Sequence, residues 1–259
     1  MLTKNKIKLI NSLDRKKNRK EHGLFIVEGE KMVNELINEC ETREKCAYRI
    51  SELFYTLDYK TKFLEDLEEL NVEQTEITEK ELAKISNFSS PNQVLALVEI
   101  PQDKVPYYEE DIVLMIDGVI DPGNLGNIIR CADWFGINHV ICSTNCVGLY
   151  NPKVVQASMG SIFRINVLYT LLPVVLAKMR KNNPLKPIYG ATLDGENIYG
   201  MNLNENSAIV MGSESHGISE EVKAFLTKEV KIPQLGRGES LNVASATAIL
   251  CSEFKRVSI

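Results

Sequence analysis

Nearly continuous apolar runs dominate the second half of the chain and limit the folds that it can adopt. The runs are IVLMIDGV from residue 112, HVICST from 139, PIYGAT from 187 and SAIVMG from 207. Runs of this kind are typical of strands in a parallel sheet that is covered on both faces. Segments with helical spacing of their apolar residues lie between the runs, which is the order of repeated βαβ units. We therefore predict an α/β domain with a parallel sheet over residues 111–259.

Shorter strands and helices alternate in the first hundred residues. FIVEG and NQVLALVEI have the character of strands, whereas residues 30–40 and 61–71 space their apolar side chains for one face of a helix. We interpret 61–71 as one helix. The alternation predicts a smaller α/β domain over residues 1–98.

The segment PQDKVPYYEED interrupts both periodicities, because it combines two prolines with a cluster of charges. A break of this kind is typical of a connection between domains. We predict a linker over residues 99–110.

The charge of the chain is unevenly distributed. The total is −5, but residues 1–20 carry +7, residues 21–110 carry −12, and residues 111–259 sum to zero. A dense basic arm on an acidic protein indicates a local contact with a polyanion. The alternative is the solvated face of a frayed N-terminal helix.

The six cysteines include neither a CxxC pair nor a neighbouring histidine cluster at zinc-ligand spacing. We expect them to be reduced and mostly buried, and we expect no metal site. The apolar runs are much shorter than the roughly 20 residues that span a bilayer, and the basic N-terminus lacks the apolar core of a secretory signal. These features predict a cytoplasmic protein without a membrane segment.

Glycines shape a first corner, in the stretch VIDPGNLGNIIRCADWFG, where a predicted strand runs into a helix. They fall at positions 118, 123 and 126, so GxGxxG is absent, and the acidic residue expected about 20 positions further on is missing. Both facts weaken an interpretation as a dinucleotide site. Arg130 lies in the helix that follows and, taken alone, is as compatible with a structural salt bridge as with a role at the strand ends.

Two further corners follow predicted strands. At AIVMGSESHGIS, Glu214 lies in a polar loop and is either a functional carboxylate or an ordinary loop residue. At KIPQLGRGESLNVASATAILCSEF, Ser240 is a candidate N-cap and Asn242 a first-turn hydrogen-bonding residue of a helix rich in small side chains. Those small residues permit close approach by a second subunit, although helix packing alone accounts for them. Open α/β sheets bind ligands at the carboxyl ends of their strands, where all three corners lie.

Together the three corners resemble the signature motifs of the SpoU (TrmH-like) branch of the SPOUT RNA methyltransferases. The matching residues are Asn124, Gly126, Arg130 and Gly136 in the first, Gly212, Glu214, Gly217 and Ile218 in the second, and Ile232, Pro233, Gly236, Ser240, Leu241, Asn242 and Val243 in the third. The similarity covers residues 110–259. RKKNRKEHGLFIVEGEKMVNELI is similar to the α/β substrate-binding domain that often precedes this catalytic domain. One departure is Gln156, which occupies a position where many relatives carry arginine.

The resemblance implies a parallel sheet threaded into a deep trefoil knot, and a homodimer in which Arg130 contributes to the partner's cofactor site. It implies transfer of a methyl group from S-adenosylmethionine to a ribose 2′-hydroxyl of RNA, with ribosomal RNA favoured over transfer RNA. The catalytic residues implied are Arg130, Asn124, Glu214, Ser240 and Asn242. The implied cofactor contacts are Thr192, Leu193, Gly212, Gly217, Ile232 and Leu241, and the implied RNA contacts of the basic arm are Arg15, Lys16, Lys17 and Arg19. The alternatives are a non-catalytic RNA-binding or assembly factor with the same fold and, more distantly, a Rossmann oxidoreductase.

Overall fold

A computed structural model describes residues 2–42, 47–101, 112–204 and 206–256. Most of the predicted linker over residues 99–110 lies outside the described residues. The chain forms two compact units. The first contains the described residues up to 101 together with 148–163, and the second contains 112–147 and the described residues from 164 onward.

The first unit is built on a mixed sheet. Among its described residues, four strands pair in the order β1-β4-β2-β3, and only the β2–β3 pair is parallel. These strands are β1 (Leu24–Glu28), β2 (Arg49–Tyr55), β3 (Glu73–Glu76) and β4 (Val94–Glu99). The short β3, with the sequence EQTE, was not predicted, because it has no apolar alternation.

Helices cover this sheet and close an apolar core. They are α1 (Lys4–Ser12), α2 (Lys16–His22), α3 (Glu30–Thr42), α4 (Leu57–Lys62), α5 (Leu64–Glu69) and α6 (Glu79–Leu82). The prediction of one helix over 61–71 is wrong. The chain leaves the helical conformation at Phe63, with φ −128° and ψ 37°. The ring of Phe63 lies 4.8 Å from that of Tyr59, and this aromatic packing outweighs the continuous helical pattern.

The second unit contains the predicted parallel sheet. Among its described residues, six strands pair in the order β10-β8-β9-β5-β6-β7, all in parallel. They are β5 (Val113–Ile116), β6 (His139–Ser143), β7 (Asn166–Thr170), β8 (Ile188–Asn197), β9 (Ala208–Met211) and β10 (Lys228–Lys231). The central strands β5, β6 and β9 are buried throughout, as their apolar runs predict. The edge strand β7 is half-buried, which explains why it lacks such a run.

The remaining helices are α7 (Pro122–Trp134), α8 (Pro152–Ser158), α9 (Leu172–Asn182), α10 (Glu220–Lys223) and α11 (Val243–Arg256). The small-residue helix α11 packs against α7 of the same chain. This packing by itself accounts for its small side chains, as the simpler of the two sequence-based interpretations holds.

Residues 148–163, which include α8, belong in space to the first unit although they follow β6 in sequence. The ring of Tyr150 lies 4.5 Å from that of Phe25 in β1. The hydroxyl of Tyr48 donates to the carbonyl of Ile162 at 2.9 Å. The sequence-based division of the chain assigned this segment to residues 111–259, so order in the sequence and spatial unit differ here.

Strand β8 contains a large irregularity at its carboxyl half. Gly190 pairs with Glu229 of β10, but the next pair joins Glu196 to Val230, so residues 191–195 lie outside the ladder. The extruded loop returns at Gly195, where an added Cβ would lie 2.5 Å from the amide nitrogen of Val230. Only glycine permits that approach.

The cysteines that the structure describes are free thiols: Cys40, Cys131, Cys142, Cys146 and Cys251. Cys46 lies outside the described residues. Nowhere in the described ranges do three or more His, Cys, Asp or Glu side chains form a group that could hold a metal ion. No helix in these ranges has the length and apolar character needed to cross a bilayer.

Candidate active site

Three side chains, one from each corner, meet at the carboxyl edge of the parallel sheet. The amide of Asn242 donates to Asn124 Oδ1 and to Glu214 Oε1, both at 2.8 Å. The amide of Asn124 donates to the same Glu214 oxygen at 3.1 Å. We call Asn124, Glu214 and Asn242 the polar triad. The sequence analysis named all three, and the structure brings them together.

Helix ends hold the two asparagines in place. The carboxylate of Asp121 accepts a hydrogen bond from the backbone of Asn124 at 2.8 Å, which caps α7. Asn242 Oδ1 accepts from the backbone of Ala244 at 3.0 Å and of Ser245 at 3.3 Å. Asn242 therefore caps α11 with its oxygen and serves the triad with its nitrogen. The interpretation of Ser240 as the N-cap is wrong, because the helix begins only at Val243.

The loop that carries Glu214 is folded tightly on itself. Ser213 and Gly217 exchange two backbone hydrogen bonds, of 3.0 and 2.9 Å. Gly217 has φ +66°, and an added Cβ at Gly212 would lie 2.1 Å from the carbonyl carbon of Gly217. The two glycines are thus required by the backbone, and they leave Glu214 at the exposed turn.

A cavity of about 710 Å³ opens beside the triad. Its volume is in the range of sites for small molecules and cofactors, roughly 300–1,000 Å³. The predicted cofactor contacts all line it, together with two predicted catalytic residues: Thr192, Leu193, Gly212, Gly217, Ile232, Leu241, Glu214 and Ser240. The loop extruded from β8 supplies Thr192 and Leu193, so the irregularity of that strand forms one wall.

One buried polar atom in this cavity has no partner in the described chain. The hydroxyl oxygen of Thr192 is inaccessible to solvent and makes no hydrogen bond there. A buried hydroxyl without a partner costs free energy, and a ligand in the cavity can supply the missing bond.

The sequence analysis missed several residues of the cavity wall. Val243, Ala246 and Leu250 line it from α11 at the spacing of one helix face. That periodicity is visible in the sequence. His216, whose ring Nδ1 lies 2.7 Å from Ser215 Oγ, lines it from the second corner and has no such signal.

Arg130 is exposed on α7 and does not line the cavity of its own chain. Its guanidinium forms no salt bridge with any residue that the structure describes. The interpretation as a structural salt bridge is therefore wrong for these residues.

More than half of the chain, residues 111–252, matches the family model described as the SpoU rRNA Methylase family. The chain belongs to the SpoU family. Residues 4–96 match the model described as the MRM3-like substrate binding domain.

Relatives of this SpoU protein match over nearly their whole length. The 23S rRNA (guanosine(2553)-2′-O)-methyltransferase RlmP of Bacillus subtilis is 29% identical over 246 residues, which cover 95% of this chain and 94% of the relative. The solved structure of a TrmH-family protein from Porphyromonas gingivalis has a TM-score of 0.85 and 38% identity, and the match covers 99% of both chains. A structure of an S-adenosylmethionine-bound rRNA methyltransferase from Sinorhizobium meliloti has a TM-score of 0.83 and 25% identity, with coverage of 100% of this chain and 97% of that one.

The first unit of the SpoU protein holds the predicted RNA contacts. Arg15, Lys16 and Lys17 are exposed on and before α2. Arg19 is only 5% exposed, and its Nη1 donates to the carbonyls of Leu13 and Asp14, each at 2.7 Å. Burial lowers the pKa of the Arg19 guanidinium, while the charge of Asp14 partly offsets the effect. We therefore correct the prediction for Arg19, because a guanidinium that is bonded inside the unit is not available to a phosphate.

Proposed function

We propose that this chain methylates a ribose 2′-hydroxyl of ribosomal RNA, with S-adenosylmethionine as the methyl donor. The observation that carries the proposal is the polar triad: residues 118 positions apart share hydrogen bonds at the mouth of the cavity. A plain structural corner has no need of such convergence. Membership of the SpoU family and the printed activities of its relatives support the same reaction.

The cavity is suited to the cofactor in its volume and in its chemistry. Thr192 and Leu193 in the extruded loop, Gly212 and Gly217 in the second corner, and Ile232 and Leu241 in the third would hold it. Thr192 offers a buried hydroxyl with no partner in the described chain. When bound, S-adenosylmethionine supplies a methyl group that is already attached to a sulfonium leaving group.

The side chains of this protein must then orient the ribose and manage its proton. A ribose hydroxyl does not ionise at neutral pH without help, so a fixed cation beside it favours loss of the proton. Arg130 is our choice for that cation, because a guanidinium stays charged and can engage the hydroxyl and an adjacent phosphate. Asn124, Glu214, Ser240 and Asn242 would orient the ribose and the cavity wall.

Since Arg130 does not line the cavity of its own chain, we propose a homodimer in which it serves the site of the partner. The same helix exposes 84% of Trp134, a side chain that normally seeks an apolar contact. Sedimentation equilibrium at micromolar concentration should find a dimer, and a monomer alone would count against this assignment.

We further propose that residues 1–98 bind the RNA substrate and residues 111–259 carry out the transfer, in the cytoplasm. The exposed cations of α2 support the first part, because lysine and arginine neutralise phosphates whatever the base sequence. The trefoil knot of the SPOUT fold belongs to this proposal as well. An RNA 2′-hydroxyl also distinguishes RNA from DNA at the point of reaction.

The test uses radiolabelled S-adenosylmethionine and ribosomal RNA from cells that lack the gene. Wild-type protein should label ribose 2′-oxygens in that RNA, and Arg130→Ala should label them at least about 100-fold more slowly. Lys153→Ala, which removes an exposed cation of α8, is the matched control and should stay near the wild-type rate. Equal labelling by Arg130→Ala would remove Arg130 from the mechanism. No labelling and no cofactor binding by the wild type would favour a non-catalytic RNA-binding factor.

A further inference from the structure

A buried aspartate at the end of β5 holds the loop that carries Glu214. Asp117 follows β5 directly and is 6% exposed. Its Oδ2 accepts hydrogen bonds from the backbone of Ser219 at 2.8 Å and from the hydroxyl of Ser219 at 2.7 Å. Ser219 is the residue that follows the loop of residues 212–218.

The same aspartate also holds the other end of this loop. The backbone N–H of Asp117 donates to the carbonyl of Met211 at 2.8 Å, and Met211 is the last residue of β9 before the loop. One residue is thus bonded to the chain immediately before the loop and immediately after it. Glu214 lies between these two fixed points.

Asp117 also precedes the first corner of the site. The next residue, Gly118, has φ +74°, and its N–H donates to Ser143 Oγ at 2.8 Å. Four residues after Asp117, Asp121 caps the helix that presents Asn124. Asp117 is therefore joined through short covalent or hydrogen-bonded paths to two members of the polar triad.

A carboxylate at this depth is costly unless hydrogen bonds compensate for its lost hydration. Its bonds to Ser219 offset that cost only while the loop stays in place. Without them, Glu214 Oε1 would not be held within hydrogen-bond distance of Asn124, Asn242 and Val243 together.

We propose that Asp117 is a positioning residue of the methyl-transfer site: with Ser219 it fixes the loop so that Glu214 completes the polar triad. Asp117 does not line the cavity and acts only through Glu214. The inference rests on the proposed function, because it assigns a role within that same site.

A double-mutant cycle separates this role from a contribution to stability alone. The proteins are wild type, Asp117→Ala, Glu214→Ala and the double variant, and the readouts are kcat on ribosomal RNA, the Kd of S-adenosylmethionine by calorimetry, and deuterium exchange of residues 212–218. Asp117→Ala should lower kcat by about tenfold to 100-fold, since small misplacement of a catalytic group has effects of this size. Its exchange in the loop should rise. The double variant should be no slower than Glu214→Ala, because a positioning residue has nothing to position once Glu214 is gone.

Thr227→Val is the matched control. The hydroxyl of Thr227 likewise makes two hydrogen bonds, to the N–H and carbonyl of Ile188 at 2.9 and 3.0 Å, but at the opposite end of the sheet. Its effect on kcat should be small and should add to that of Glu214→Ala.

Additive effects of Asp117→Ala and Glu214→Ala, or an unchanged kcat in Asp117→Ala, would overturn the proposal. If Asp117→Ala does not fold, Ser219→Ala replaces it in the cycle, because that variant removes one bond and keeps the buried carboxylate and its bond to the Ser219 N–H. A wild type that neither binds S-adenosylmethionine nor labels RNA would instead overturn the proposed function, so the two failures are distinguishable.

Discussion

Asn124, Glu214 and Asn242 lie up to 118 positions apart, yet they share hydrogen bonds in the second unit. Arg15, Lys16 and Lys17, by contrast, follow one another in the first unit and point into solvent. The triad depends on each of its members, because removing one leaves the others without a partner. The exposed cations act through their summed charge, so each can be lost at a small cost. A site built by convergence and a surface built by a local run should therefore respond differently to substitution.

The largest effect should come from the triad. Asn242→Ala removes the amide donor and the cap of α11, so we expect about a 100-fold fall in methylation rate and a loss of about 1 kcal/mol in the free energy of unfolding. Asn242→Asp separates these roles, because aspartate also caps a helix but has no N–H to donate. It should keep the stability and lose the activity. Equal activity of wild type and Asn242→Asp, measured with labelled cofactor, would show that the triad is structural.

Arg19 should produce the next largest effect, on stability rather than on binding. Arg19→Ala removes the charged donor from the carbonyls of Leu13 and Asp14, which should lower the free energy of unfolding by about 2 kcal/mol in a urea titration. The exposed neighbour Lys20, changed to alanine, is the control and should have little effect. A larger loss of RNA affinity than of stability in Arg19→Ala would return this residue to the binding surface.

The exposed cations should show the behaviour of a surface. The triple variant Arg15→Ala, Lys16→Ala, Lys17→Ala should weaken RNA binding about tenfold and make the salt dependence shallower by about two to three contacts, with unchanged binding of S-adenosylmethionine. Lys31, Lys80 and Lys84, also exposed in the first unit, form a matched triple control. An equal change of salt slope in both triples would mean that only net charge matters.

The smallest effect concerns Glu28, at the end of β1. Burial raises the pKa of its carboxyl, although hydrogen bonds from Ser86 and from the Asn87 N–H partly oppose the shift. The unfolded chain therefore releases this proton at a lower pH than the folded chain, and the free energy of unfolding falls as the pH rises from the unfolded value, about 4.3, through the folded one. Glu28→Gln should flatten this dependence in denaturant titrations between pH 4 and 7. Exposed Glu79→Gln should leave it unchanged.

The two units also differ in how far the sequence predicts them. The parallel sheet follows from the apolar runs of β5, β6, β8 and β9, because strands buried on both faces leave a continuous signal. The edge strand β7 and the polar strand β3 leave none. The break at Phe63 comes from aromatic packing, which no periodicity reports.

The site was predictable as a list of residues and not as a geometry. The corner motifs indicate Asn124, Glu214 and Asn242, but their hydrogen bonds depend on where three strand ends lie in space. The loop extruded from β8 arises from a shift in strand register, which is a property of two strands together. Asp117 carries no motif signal that separates it from any aspartate at the end of a strand, and only its bonds to Met211 and Ser219 reveal its role.

Residues 148–163 bear on how such proteins exchange parts in evolution. The segment is encoded between β6 and β7 of the second unit, yet Tyr150 and Ile162 find their partners in Phe25 and Tyr48 of the first. A recombination event that transplanted residues 111–259 behind a foreign substrate-binding domain would carry Tyr150 and Phe163 away from the aromatic rings that cover them. The new neighbour would have to offer a matching apolar face before the hybrid could fold. Exchange of RNA-binding domains in this lineage is therefore constrained by a stretch of sixteen residues as well as by the target RNA.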